Sequence, residues 1–121
     1  MNKKVLFIED DPQLQDLYQG ILSQKGILAI GAHDGKEGLE KVHTEKPDLV
    51  VLDIMLPGGV SGFDVLEQLK ANPLTQSIPV IVLTNLDSEE AVAKKIGAVD
   101  YKIKSDTSLK EIVALIMKRL I

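Results

Sequence analysis

Short apolar segments alternate along this chain with longer amphipathic segments, and this alternation sharply limits the folds that the chain can adopt. The apolar segments lie at residues 5–8, 27–30, 49–52 and 79–83, with a less apolar fifth segment at 99–103. Each of the first four is continuously apolar, which is typical of strands buried on both faces of a parallel sheet. The sequence therefore predicts five strands, with the fifth, lysine-containing strand at an edge of the sheet.

The segments between these strands carry helical spacing and capping signals. Asp11 and Pro12 precede a stripe of apolar residues at positions 14, 17, 18, 21 and 22, which predicts a helix that Asp11 caps. Acidic or hydroxyl residues stand three positions before a glutamate at 34/37, 87/90 and 108/111, and predict helices that end near residues 45, 96 and 120. A further helix is expected from about 62 to 71. The alternation predicts an α/β fold, a five-stranded doubly wound parallel sheet with right-handed crossovers.

Composition excludes several kinds of protein. The 121 residues suit a single domain over residues 1–121, and the net charge of −4 with only 3% aromatic residues argues against a direct nucleic-acid partner. The chain has no cysteine, so disulfides and thiolate metal sites are impossible. No stretch approaches the ~20 apolar residues of a membrane span, and the run at 5–8 is too short for a signal peptide. We therefore expect a cytoplasmic protein without membrane contact.

Polar side chains follow the predicted strands at the positions where ligands bind in this fold class. Glu9 and Asp10 follow the first strand, Asp53 the third, Thr84 the fourth and Lys104 the fifth. In an open parallel sheet these positions meet at the carboxyl edge, so residues far apart in sequence converge there.

A cluster of carboxylates at this edge favours a metal site. Two carboxylates ~4 Å apart repel each other by about 4 kcal/mol at an effective dielectric near 20, unless a cation lies between them. Oxygen ligands in an open pocket suit Mg²⁺. Unrelated helix-capping acids are the alternative, and Asp11 is one. Asp53 is harder to explain as a cap, because it ends an apolar run and no helix follows it. A metal, a carboxylate nucleophile, a hydroxyl and an amine are together suited to phosphoryl transfer.

The motifs around these residues resemble the receiver domain of bacterial two-component response regulators. They are VLFIEDDP at 5–12, PDLVVLDIMLP at 47–57, PVIVLT at 79–84 and GAVDYKIK at 97–104, and together they extend over essentially the whole chain. The resemblance implies the flavodoxin-like receiver fold, with strand order 2-1-3-4-5. It also implies a phosphoprotein in a phosphorelay of signal transduction, with a histidine kinase or phosphotransfer protein as donor. A downstream protein or an output domain outside this chain would read its state.

The same resemblance assigns a role to each site residue. Asp53 is implied as the phosphoacceptor, while Thr84 and Lys104 bind phosphoryl oxygens. Glu9, Asp10, Asp53 and the backbone carbonyl of Met55 are implied as Mg²⁺ ligands, with Glu9 acting through water. Tyr101 is implied as an aromatic switch that turns inward when Thr84 moves. The domain itself is then a switch with weak self-catalysed phosphotransfer and autodephosphorylation rather than a conventional enzyme.

The sequence departs from the family pattern around the fourth and fifth strands. Ser105 stands where proline is usual, and Asn85 stands where a small residue is common. The loop at 57–62 is one residue longer than usual, and residues 86–98 are about two residues short, which predicts a short fourth helix.

Three other functions remain open at this point. An Mg²⁺-dependent phosphatase with an aspartyl-phosphate intermediate needs a second aspartate two positions after Asp53, where Met55 stands. A flavin-binding protein of the flavodoxin type is disfavoured because the acidic turn after the first strand would repel a phosphate. A pseudo-receiver, which binds partners without phosphorylation, is disfavoured by the complete set of acids, threonine and lysine.

Overall fold

The fold places five parallel strands in one sheet with helices on both faces. The computed structural model describes residues 2–121, and its sheet has the order β2-β1-β3-β4-β5, as the receiver resemblance implied. The strands are β1 (Lys4–Ile8), β2 (Leu28–Ala32), β3 (Leu49–Leu52), β4 (Val80–Thr84) and β5 (Asp100–Ile103). The α-helices are α1 (Pro12–Ser23), α2 (Gly35–Glu45), α3 (Gly62–Ala71), α4 (Glu90–Ile96) and α5 (Leu109–Leu120). A 3₁₀ turn at Lys104–Asp106 follows β5.

Alternate strand residues supply two apolar layers, one on each face of the sheet. On one face, residues such as Leu6 and Leu52 pack with buried side chains of α2, α3 and α4. On the other face, Phe7 and Val51 pack with α1 and α5. Phe7 also stacks on Tyr18 of α1, with ring centroids 4.7 Å apart. The core is almost entirely aliphatic, and it holds the strand ends in a fixed register.

The capping residues agree with the sequence in three of four predicted cases. The Asp11 side chain accepts from the N–H groups of Gln13 and Leu14 and caps α1, and Ser108 forms a complete capping box that opens α5. Asp34 caps α2. The Glu37 side chain, however, accepts from the N–H of His33, one residue before the cap.

The predicted cap at Asp87 is wrong. Helix α4 begins at Glu90 after Glu89, which makes no side-chain capping hydrogen bond. Residues 85–89 instead form an irregular connection, so the acidic spacing there did not mark a helix start. With seven residues, α4 is the shortest of the α-helices in residues 2–121, in line with the short fourth helix that we expected. No helix in the same residues has the length and apolar character required to cross a membrane.

The predicted boundary of the second strand was also displaced. The apolar run suggested residues 27–30, whereas β2 comprises Leu28–Ala32. The strand continues past this run through Gly31 to the buried Ala32, because Phe7 and Ile8 of β1 pair with these two residues. Backbone pairing therefore carries the strand across Gly31, the position at which the apolar run of the sequence stops.

Candidate functional site

Backbone hydrogen bonds at the strand ends fix the positions of Glu9 and Asp53. The N–H of Asp53 donates to the carbonyl of Ile8 over 3.0 Å, and the N–H of Glu9 donates to Ala32 over 2.9 Å. These bonds continue the parallel register by one residue beyond β1 and β3. Residues Asp53 and Glu9 are only 4% and 5% exposed, so both acids lie at the bottom of the pocket at the carboxyl edge.

Three carboxylates and one lysine form the centre of the site. One carboxylate oxygen from each of Glu9, Asp10 and Asp53 lies within 4.8 Å of the others, and Asp10 is the exposed member. The Lys104 ammonium donates to Glu9 Oε1 over 2.5 Å and to Asp53 Oδ2 over 2.7 Å. The structure thus brings together the four charged residues that the sequence predicted at this edge.

Backbone N–H groups satisfy the remaining oxygens of the buried acids. The N–H of Asp11 donates to Glu9 Oε2 over 3.0 Å, and the N–H of Met55 donates to Asp53 Oδ1 over 3.0 Å. Every carboxylate oxygen of Glu9 and Asp53 therefore has a hydrogen-bond donor. Both side chains are held in one orientation, which preorganises the carboxylate of Asp53.

The electrostatic balance of the cluster is negative. Burial raises the pKa of Glu9, and its bonds to Lys104 and to the N–H of Asp11 offset this only in part. Burial alone would lower the pKa of Lys104, but Asp53 and Glu9 together outweigh it and raise that pKa. With ionised carboxylates, three negative charges face one positive charge, which leaves two unneutralised.

The donor set fits a magnesium ion. All candidate ligands are hard oxygen atoms, the cluster has an exposed side at Asp10, and two excess negative charges match one divalent cation. The carboxylates of Glu9, Asp10 and Asp53 are the groups that would hold it. The role of the Met55 carbonyl stays a prediction, because the Met55 N–H is the only part of that residue that the structure relates to the cluster.

Thr84 and Tyr101 lie on the neighbouring strands. The pairing of Leu52 with Val82 places the fully buried Thr84 two residues beyond the partner of Leu52, at the same carboxyl edge of the sheet as Asp53. The hydroxyl oxygen of Thr84 accepts from the N–H of Leu86 over 3.3 Å. Tyr101 is 7% exposed, and its hydroxyl donates to the carbonyl of Leu86. Both side chains therefore contact the same residue of the β4–α4 connection.

Gln15 is a supporting residue that the sequence analysis missed. Its buried amide nitrogen donates to the carbonyls of Glu9 and Ala32, over 2.7 and 2.8 Å, and ties α1 to the ends of β1 and β2. Gly31 leaves room for it, because a Cβ there would lie 2.0 Å from the amide oxygen of Gln15. The available signal was a polar residue on the helix face that Tyr18 and Leu22 bury.

Comparisons with known proteins agree on one family. The family model described as the response regulator receiver domain matches residues 5–116. The alkaline phosphatase synthesis transcriptional regulatory protein PhoP of Bacillus subtilis is 42% identical over 106 aligned positions, and the match covers 86% of this chain and 43% of that protein. Protein PilH of Pseudomonas aeruginosa is 34% identical over 118 aligned positions, and the match covers 93% of this chain and 97% of PilH. The chain spans about half the length of the first relatives that it matches.

A solved structure supports the same relationship. The BeF₃-activated N-terminal receiver domain of Klebsiella pneumoniae RstA superposes with a TM-score of 0.87 at 32% identity. The superposition includes 98% of both chains.

Proposed function

Because this chain belongs to the response regulator receiver domain family, we propose that Asp53 is the residue at which it accepts a phosphoryl group. The observation that carries the proposal is the buried Asp53 carboxylate, held by Lys104 beside Glu9 and Asp10. A two-component receiver takes its phosphoryl group from a phosphohistidine, so we infer a histidine kinase or a phosphotransfer protein as the donor. The family match argues against the phosphatase and flavin-binding alternatives. The complete set of acids, threonine and lysine argues against a pseudo-receiver.

The proposed reaction is an in-line transfer to a carboxylate. An oxygen of Asp53 attacks phosphorus and forms the new P–O bond, while the P–N bond to the donor histidine breaks. The imidazole leaves with the electron pair of that bond and takes up a proton. Lys104 already contacts Asp53, and it is positioned to neutralise a phosphoryl oxygen once the acyl phosphate has formed. The Thr84 hydroxyl supplies a second hydrogen-bonding group.

Mg²⁺ is the cofactor that the carboxylates support. When bound, the metal neutralises charge on the phosphoryl oxygens. We infer Asp10, Asp53 and the backbone carbonyl of Met55 as its direct protein ligands, with Glu9 acting through water. The same groups would support the weak self-catalysed phosphotransfer and autodephosphorylation that we propose, since they would also stabilise the transition state for attack by water.

Thr84 and Tyr101 are the proposed switch. Both contact Leu86, so a movement of Thr84 toward a phosphoryl group would alter the same connection that holds the Tyr101 hydroxyl. Phosphorylation should therefore shift the Leu86 amide resonance in NMR spectra. Tyr101→Phe, which removes only the hydroxyl, should reduce that shift. If Tyr101→Phe shows the same shift as the unsubstituted protein, the Tyr101 hydroxyl takes no part in the switch.

The output is left to a partner or to a further domain. PhoP of Bacillus subtilis extends well beyond the matched segment, whereas PilH is matched over nearly its whole length. Either arrangement suits a single receiver domain over residues 1–121. A cytoplasmic location is also part of the proposal, in keeping with a chain that has no cysteine to form disulfides.

Incubation of the purified protein with phosphoramidate and Mg²⁺ tests the proposed function. Intact-mass spectrometry should show one added phosphoryl group. The addition should be lost in Asp53→Asn, and it should be strongly slowed when EDTA removes the metal. Asp16→Asn provides a matched control, because Asp16 is an exposed aspartate of α1 outside the cluster. Phosphorylation of Asp53→Asn at the rate of the unsubstituted protein would exclude the assignment.

A further inference from the structure

Asn85 and Ser105 depart together from the receiver pattern, and they contact each other. The backbone N–H of Ser105 donates to the Asn85 side-chain oxygen over 3.0 Å. A proline at position 105 would have no N–H to donate, and a glycine or alanine at position 85 would have no side-chain oxygen to accept. No peptide bond in residues 2–121 is cis, so Ser105 follows Lys104 through a trans peptide.

The contact joins the loop that follows Thr84 to the 3₁₀ turn that begins at Lys104. Thr84 pairs with Ile103 at the last step of the β4–β5 ladder. Asn85 and Ser105 follow at the point where the strands end, so their hydrogen bond extends the connection between the strands into the loops. Each partner is adjacent in sequence to a residue of the proposed phosphoryl site.

Asn85 acts as a cap supplied from another loop. Lys104–Asp106 form a 3₁₀ turn, whose first N–H groups have no partner within the turn. The Thr107 hydroxyl donates to the carbonyl of Ile103 over 2.8 Å, which ties the residue after the turn to the residue before it. Asparagine is among the preferred side chains for capping such an N–H. The Asn85 cap therefore adds a second restraint, from another loop, at the end of the turn that carries Lys104.

We propose that Asn85 is a positioning residue for phosphoryl transfer, which acts through the Ser105 N–H to hold Lys104 over Asp53. This inference rests on the proposed function of Asp53. Asn85 and Ser105 are both exposed, so water can replace the lost partner of either group and the contact adds little to global stability. The Asn85–Ser105 contact should instead affect the rate of phosphoryl transfer, since the Lys104 ammonium must stay within hydrogen-bond distance of Asp53.

A double-mutant cycle with phosphoramidate as donor tests the proposal. Asn85→Ala should lower the phosphorylation rate constant about threefold to tenfold, the factor that corresponds to one neutral hydrogen bond. The same substitution in a Ser105→Pro background should have little effect, because the N–H is already absent there. Ser105→Ala keeps the N–H and should react like the unsubstituted protein. The Mg²⁺ dissociation constant of Asn85→Ala should not change, because the carboxylate ligands lie on other loops.

The possible outcomes distinguish failure of the positioning role of Asn85 from failure of the proposed function of Asp53. An equal loss of rate from Asn85→Ala in both backgrounds would show that the hydrogen bond is not the cause. An unchanged rate in Asn85→Ala, with normal labelling at Asp53, would also overturn the positioning role and leave the acceptor assignment intact. A weakened Mg²⁺ affinity would indicate a general disturbance of the site instead. Failure of the unsubstituted protein to become phosphorylated would overturn both proposals.

Discussion

Asp53 and Glu9 combine deep burial with negative charge, and the structure shows how this combination is tolerated. Each carboxylate receives one hydrogen bond from Lys104 and one from a backbone N–H. Buried acids without such partners would cost several kcal/mol each in effective desolvation energy. The same arrangement leaves two excess negative charges at an open pocket. The charges of these individual residues therefore favour the binding of a cation at this site.

The side chains two positions after Asp53 and Thr84 should control the lifetime of the proposed acyl phosphate. Met55 and Leu86 are both apolar, so neither can orient an attacking water. We therefore expect Met55→Asn to shorten the half-life of the phosphorylated protein, on the order of threefold to tenfold, less than a dedicated general base contributes. The decay can be followed by intact-mass spectrometry after the donor has been removed.

A matched variant distinguishes polarity from size at this position. Met55→Leu keeps an apolar side chain and should decay at the rate of the unsubstituted protein. Equal half-lives for Met55→Asn and Met55→Leu would show that water access at residue 55 does not govern dephosphorylation.

At the scale of elements, the junction between β3 and α3 fixes the backbone of Asp53. The N–H of Gly62, the first residue of α3, donates to the carbonyl of Ile54 over 2.9 Å. A Cβ at Gly62 would lie 2.2 Å from the carbonyl oxygen of Asp53. Relief of this clash would require the backbone to move, which is energetically costly. The absence of a side chain at residue 62 lets the helix approach the strand end closely.

Gly62→Ala should destabilise the protein and displace Asp53. We expect the free energy of unfolding to fall by about 1–3 kcal/mol, as for other overpacked sites, with slower phosphorylation as a second effect. Gly20→Ala is the control, because Gly20 lies within α1 and a Cβ there would meet nothing within 4 Å. That control should gain about 0.5–1 kcal/mol from helix propensity. Urea denaturation measures both changes, and similar stabilities for the two variants would contradict the close approach at Gly62.

The elements also show why some features could be predicted from sequence and others could not. The strand order followed from the family resemblance, and the convergence of Asp53 and Lys104 followed from their positions after apolar runs. The start of α4 did not follow, because an acid three residues before a glutamate is compatible with both a cap and an irregular connection. Spacing alone cannot choose between them.

Two supporting contacts were beyond reach of the sequence for a related reason. Gln15 binds backbone carbonyls and Asn85 binds a backbone N–H. Every residue except proline offers both a backbone N–H and a backbone carbonyl. The sequence therefore does not indicate which residue such a side chain will bind. Such contacts become visible only when the backbone path is known.

At the scale of the whole molecule, Mg²⁺ binding at the carboxyl edge should stabilise the folded protein. A ligand that binds only the folded state stabilises it by about 2.7 kcal/mol at a hundred times its dissociation constant. Mg²⁺ should therefore raise the melting temperature in a concentration-dependent manner. Asp10→Asn should remove most of this increase, because Asp10 is the exposed member of the cluster.

Asp16→Asn separates specific binding from a general effect of charge. It makes the same change in net charge as Asp10→Asn, at an exposed site outside the cluster, and should retain the full increase in melting temperature. An equal loss of the Mg²⁺ effect in both variants would indicate general screening of an acidic protein. Differential scanning fluorimetry at constant ionic strength provides the comparison.

The identity of the phosphorylated residue is the central claim, and chemical trapping tests it most directly. Borohydride reduces an aspartyl phosphate to homoserine, which marks the position in a peptide digest. After reaction with phosphoramidate and Mg²⁺, we predict homoserine at position 53, and none in a sample treated without donor. Homoserine at Asp10 or another aspartate, or a phosphoryl group recovered on His33 or His43, would contradict the assignment of Asp53 as the acceptor.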